Sequence, residues 1–131
     1  MTYLLDTTSV IALLQDERGP TARRVRQYRP ADIGISAVVL RELYYGAFRS
    51  RRREQNLELV DRIPLEVVPF EADDARSAGE VRAVLASRGT PIGPFDTLIA
   101  GQAKARALIL VTANTAEFTR VSGLRLEDWG A

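Results

Sequence analysis

Apolar positions along the chain fall into short continuous runs separated by stretches with helical spacing. Residues 2–5 ("TYLL") form a run closed by Asp6 and predict a short buried strand. Residues 7–15 then carry helical spacing and are stopped by Gly19 and Pro20. An arginine-rich helix is predicted over 21–29, an alternating strand over 33–36, a helix over 37–48, and a further helix over 51–63 that ends before Pro64. "LEVVPF" at 65–70 supplies a third strand, and 71–89 has helical spacing with Gly89 as its stop signal. Residues 90–95 ("TPIGPF") predict a loop with two prolines, and 96–106 a helix of small residues that can pack tightly. "ALILVT" at 107–112 is a continuous apolar strand, 114–118 a short turn or helix, and "LRLEDW" at 124–129 a final strand. There is no internal repeat, low-complexity segment or linker.

Strands that alternate with helices imply a parallel sheet covered on both faces, because each parallel connection needs a crossover. The expected class is α/β, with residues 1–131 as one domain. In such sheets ligands bind outside the carboxyl ends of the strands, where the strand order reverses. Polar residues just past the strands are therefore the place to look for chemistry.

Composition narrows that chemistry. Apolar residues make up 46% and charged residues 27%, as in ordinary folded domains. No apolar run approaches the roughly 18 residues that span a bilayer, so no membrane association and a cytoplasmic location are expected. The chain has no cysteine and no histidine, which removes disulfides, thiolate nucleophiles, imidazole bases and zinc-thiolate sites. Any metal must be held by oxygen, which points to hard cations such as Mg²⁺ or Mn²⁺. Net charge is only +1 and names no partner, although the cations are arginine save for Lys104.

Asp6 follows the first strand, Asn114 and Glu117 follow the strand ending near Thr112, and Asp96 opens the helix before that strand. All four can gather at one rim of the sheet. Glu42 needs a helical-wheel argument: at about 100° per residue it falls between Val38 and Gly46, on the margin of the apolar face, while Arg41 points away. An acid there is costly unless something positive meets it. Each residue also has a structural reading: Asp6 as a helix N-cap, Asp96 as a dipole partner, Glu42 as an arginine's mate, Asn114 as a turn residue, Glu117 as a solvated acid. Carboxylates crowded at one rim would raise one another's pKa unless a divalent cation neutralises them. Without histidine or thiol, hydrolysis here would rely on metal-activated water attacking a phosphodiester, so the substrate would be a nucleic acid or phosphate ester. Thr7, Thr8 and Thr112 can orient water or carboxylates.

"YLLDTTSVIALL", "ISAVVLRELYYGAFRS", "IGPFDTLIAGQAKARALILVTANTAEFTRV" and "LRLEDW" together closely resemble the PIN-domain ribonuclease toxins of VapC type, in order and spacing and over nearly the whole chain. The resemblance implies a PIN-like three-layer sandwich with a parallel sheet of about five strands flanked by helices. It also implies a Mg²⁺- or Mn²⁺-dependent endoribonuclease of a toxin-antitoxin system, with RNA as substrate, a cognate antitoxin protein as partner, and a homodimer. Carried over by position, Asp6, Glu42 and Asp96 match the metal-binding acids, and Asn114 or Glu117 would complete the catalytic set. Thr8 departs from the asparagine usual in the family's "DTN", and a hydroxyl there can substitute for the amide.

The run from Arg49 to Arg53, with Arg23, Arg24 and Arg26, can contact RNA phosphates or an acidic antitoxin segment; the alternative for any one of them is a solvated helix face. Tyr44, Tyr45 and Phe48 read as core, with a dimer contact as the alternative. A phosphoacceptor receiver domain fits poorly, since "LEVVPF" ends without an aspartate and Lys104 lies within a helix. A haloacid-dehalogenase phosphatase would want an aspartate at position 8. The remaining rival is a PIN fold that binds RNA or a partner without cutting.

Overall fold

The computed structural model describes residues 1–131. Five parallel strands run through it: β1 (Tyr3–Leu5), β2 (Ile33–Ser36), β3 (Glu66–Val68), β4 (Ile109–Val111) and β5 (Leu126–Glu127). They lie in the order β3-β2-β1-β4-β5. The chain therefore steps outward on one side of β1, then crosses to build the other side with β4 and β5. The order reverses beside β1, which places a crevice above the carboxyl ends of β1 and β4.

Seven helices connect the strands: α1 (Thr7–Gln15), α2 (Pro20–Val25), α3 (Ala37–Arg49), α4 (Arg53–Asp61), α5 (Ala72–Ser87), α6 (Pro94–Ala105) and α7 (Thr115–Phe118). Consecutive residues Leu4 and Leu5 are both fully buried, as are Leu110 and Val111. Successive strand side chains point to opposite faces, so both faces of the central sheet are covered. That is the three-layer α/β arrangement implied above, and one cluster of 23 buried apolar residues fills it.

Several boundaries differ from the sequence reading, each for a local reason. The second helix stops at Val25 rather than 29, because Arg29 precedes Pro30 and takes extended backbone (ψ 147°). The fourth helix spans Arg53–Asp61 only, since Arg52 leaves helical geometry at ψ 46°. The sixth begins at Pro94, not Asp96: proline sits at the first helical position, where its missing N–H costs nothing. The third, fourth and fifth strands keep only their central residues, and Ala107 takes a left-handed φ of 54° before β4.

Two contacts fix the helices that carry the site. At Gly101, in α6, an added Cβ would lie 2.4 Å from the backbone of Ala78 in α5, so the two helices can meet only with glycine there. Nearby, Arg106 Nε and Nη2 donate to Asp74 Oδ1 and Oδ2 at 3.1 and 2.9 Å, and Nη2 also reaches the Pro69 carbonyl. Burial pushes the Asp74 carboxyl up, but these bonds and the Glu71 N–H outweigh it and hold the group below its usual range. The β3–α5 turn is thereby tied to the end of α6.

Candidate active site

Asp6 leaves β1 as its pairing ends and is 4% exposed. Its Oδ1 accepts from Thr8 Oγ1 at 2.8 Å and from the Ser9 N–H at 2.9 Å, so the N-cap reading of this residue holds. Its Oδ2 accepts from Thr112 Oγ1, which comes from the end of β4. A carboxylate oxygen has about two lone-pair sites. Both on Oδ1 are taken, and one on Oδ2 stays free. Thr8 thus supplies a donor to Asp6 through a hydroxyl, and Thr112, fully buried, links the two central strands at the crevice while accepting from the Asn114 N–H at 2.9 Å.

Asp96 sits in the first turn of α6, half-buried. The helix dipole favours its charge by about 0.3–1 kcal/mol. Burial, the Glu117 carboxylate and the Asp6 carboxylate act the other way and push its pKa from 3.8 up to about 6. The three acids from β1, α6 and α7 therefore share one electrostatic neighbourhood.

Glu117 is no free surface acid. Its Oε1 accepts from the Gly93 N–H at 3.0 Å and its Oε2 from Asn114 Nδ2 at 2.6 Å, which together hold its pKa below the ordinary value. Asn114 itself is the N-cap of α7. This pair clasps α7 to the start of α6 and keeps one acid ionised beside another that resists ionisation.

Glu42 stands apart from that group. It is engaged by Arg41 at 3.0 Å, so Arg41 does not simply point away as the wheel suggests; its long side chain curls back. No three acids lie within common reach of one ion. Freeing Glu42 would break a surface pair worth at most about 1 kcal/mol. The side chains nearest the crevice offer only oxygen as ligand atoms, and the Asp96 pKa is raised by burial first and by the Glu117 and Asp6 carboxylates after it; oxygen donors of this kind suit a hard divalent cation.

Glu42 also forms part of the wall of a groove of about 380 Å³ between α1, α3 and α4, with Ile11, Leu14, Gly46 and Leu59. A Cβ added at Gly46 would meet nothing within 4 Å, so this glycine opens the groove rather than admitting a neighbour from the same chain. Of the arginines, Arg24 is committed elsewhere: it pairs with Glu127 at 3.2 Å and lies 5.6 Å over Trp129, tying α2 to the C-terminal segment. Arg51, Arg52 and Arg53 are exposed at the α3–α4 turn. Tyr45 and Phe48 are 57% and 54% exposed, so the core reading fails for both: they lie on the outer face of α3, opposite Leu43 and Ala47.

Sequence reasoning missed Phe95, which it left in a loop, and the Gly93 N–H that anchors Glu117. The proline-first helix start was the available signal for both.

The PIN domain family model matches residues 3–124. The tRNA(fMet)-specific endonuclease VapC of Shigella flexneri is 41% identical over 129 residues, covering 97% of each chain. A chain of the DNA-bound VapBC from Salmonella typhimurium superposes with a TM-score of 0.94 at 38% identity, over 98% of each chain. The VapBC2 structure from Rickettsia felis, bound to a promoter DNA fragment, matches with a TM-score of 0.90 at 35% identity, over 98% of this chain and 99% of that one. These matches place the chain in the PIN-domain family, among the VapC ribonucleases of toxin-antitoxin systems.

Proposed function

We propose that this protein cuts RNA phosphodiesters with Mg²⁺ or Mn²⁺ held by Asp6, Glu42 and Asp96, with Glu117 and Asn114 completing the catalytic set, and that residues 1–131 act as one domain. PIN-domain nucleases are typically metal-dependent. The observation that carries the assignment is the position of Asp6, held at the β1–β4 crevice by Thr8, Ser9 and Thr112, close enough to Asp96 that burial first, and then the Glu117 and Asp6 carboxylates, push the Asp96 pKa up to about 6. When bound, a divalent cation lowers the pKa of water and neutralises charge on phosphodiester oxygens. The chain's own residues do the rest. Thr8, Ser9 and Thr112 hold the Asp6 carboxylate so that one Oδ2 lone pair faces the crevice. Asn114 and the Gly93 N–H keep Glu117 ionised beside Asp96. Glu42 would join the set by giving up its pair with Arg41.

Transfer RNA is the first substrate to test, because the relatives from Shigella flexneri and Salmonella typhimurium named as tRNA(fMet)-specific endonucleases are 41% and 39% identical. RNA as substrate places the work in the cytoplasm. We assign the groove beside Glu42 to a cognate antitoxin: it is largely apolar, opens next to a site acid, and similar chains have been solved as VapBC complexes. Tyr45 and Phe48 are assigned to a homodimer contact on the strength of their exposure.

The deciding experiment incubates purified protein with tRNA, rRNA and mRNA in Mg²⁺, Mn²⁺ or chelator, beside Asp6→Asn and Asp96→Asn. Cutting that chelator stops and both substitutions abolish is expected. Undiminished cutting by either variant, or none by the wild type with Mn²⁺, overturns the assignment.

A further inference from the structure

Two residues outside the acid set stand in an arrangement that acid chemistry does not require. Phe95 immediately precedes Asp96, and Arg41 immediately precedes Glu42. The Arg41 guanidinium lies 5.2 Å over the Phe95 ring, which is 40% exposed at the start of α6. Arg41 is itself 68% exposed, and its Nη1 is held by Glu42 at 3.0 Å. An aromatic ring and a planar cation, both open to solvent, thus face one another beside a site acid. Packing does not explain this placement, because a phenylalanine so exposed forgoes much of the gain of burial.

Unpaired RNA bases are recognised by stacking on aromatic rings and on arginine planes. We propose that Phe95 and Arg41 form a stacking platform for an unstacked nucleobase of the RNA, next to the phosphodiester that is cut, and so select single-stranded or looped RNA over duplex. This rests on the nuclease reading above. A protein partner fits the platform less well: an apolar peptide gains little from a guanidinium across the ring, whereas a nucleotide presents a π-face to the stack and a phosphate to the cation. The position agrees, since Phe95 and Arg41 adjoin Asp96 and Glu42 in the chain, so a base one nucleotide from a phosphate drawn to a cation at those acids would lie beside them.

The test uses the full chain with Ca²⁺ and an RNA hairpin carrying 2-aminopurine in its loop, beside a blunt duplex carrying the same base. Wild-type protein should quench the loop fluorescence. Phe95→Leu should bind the hairpin about ten-fold or more weakly, as loss of one stacked base predicts, with an unchanged salt dependence because no phosphate contact is lost. Phe95→Trp should restore quenching, and the duplex should bind all three alike. Absence of quenching by the wild type, equal hairpin affinity for Phe95→Leu, an equal loss on hairpin and duplex, or a loss confined to antitoxin binding would each overturn the platform. The nuclease reading fails separately: it falls with a wild type that cuts nothing in Mn²⁺, whereas wild-type cutting beside an inert Phe95→Leu change sinks the platform alone.

Discussion

Replacing Asp96 by asparagine removes a charge that the fold holds against burial and against the Glu117 and Asp6 carboxylates. The pKa rises from 3.8 to about 6 on folding, and each unit corresponds to about 1.36 kcal/mol, so the ionised group opposes folding by at most about 3 kcal/mol. The side chain is only half-buried and solvent screens part of this, which leaves about 1–2 kcal/mol. Because the folded pKa is the higher one, the folded state binds the proton more tightly. The wild type therefore loses this stability as pH rises from the unfolded value through about 6, and above that pH the full penalty remains. In chelator at about pH 8, Asp96→Asn should melt some 3–8 °C above the wild type, and the gap should close toward pH 4.5. Saturating Mg²⁺ should reverse the order. A cation at about 100 times its dissociation constant adds about 2.7 kcal/mol to the wild type, and the variant lacks one of its ligands. Thermal melts followed by circular dichroism, with and without Mg²⁺, measure all of this. A variant no more stable than wild type at pH 8 in chelator, or a gap unchanged at pH 4.5, would refute the electrostatic account of the crevice.

Other changes separate site from scaffold. Thr112→Val unpairs Asp6 Oδ2 and the Asn114 N–H, and should cost about 1–3 kcal/mol together with Mn²⁺ affinity, while Thr112→Ser keeps both; denaturant midpoints and calorimetry report the two effects. Gly101→Ala should destabilise by about 1–3 kcal/mol through collision with the Ala78 backbone, despite alanine's better helix propensity, so a more stable variant would contradict the close crossing. Arg106→Met strands the buried Asp74 carboxylate and should cost about 3 kcal/mol near neutral pH. Since Asp74 has a lowered folded pKa, that deficit should shrink as acid protonates it, which urea melts across pH would show. Leu59→Asp, at the groove wall, should weaken antitoxin binding and leave RNA cleavage in place.

What was legible in the sequence follows from how local each cause is. The strand cores and the start of α1 depend on neighbouring residues only, so "TYLLD" announces both a buried strand and the acid at its end. The rim placement follows from parallel topology: Asp6 and Glu117 come after the carboxyl ends of β1 and β4, and Asp96 starts α6, the helix that runs back from that edge to the beginning of β4. Glu42 was harder: a helical wheel gives the direction of a Cβ, not the path of a long side chain, and Arg41 returns to it from the exposed side. The Arg106–Asp74 pair joins residues 32 apart and leaves no local pattern. Phe95 was hidden for a third reason. Two prolines made its segment read as loop, yet the second is the first residue of a helix, and that shift turns Phe95 from a connector into part of the turn that carries Asp96. A residue's neighbours in sequence thus revealed the acids, which chemistry marks by type. Its neighbours in space were needed to show the apolar and cationic groups beside them, because phenylalanine and arginine are common everywhere and acquire meaning only from the face they leave open.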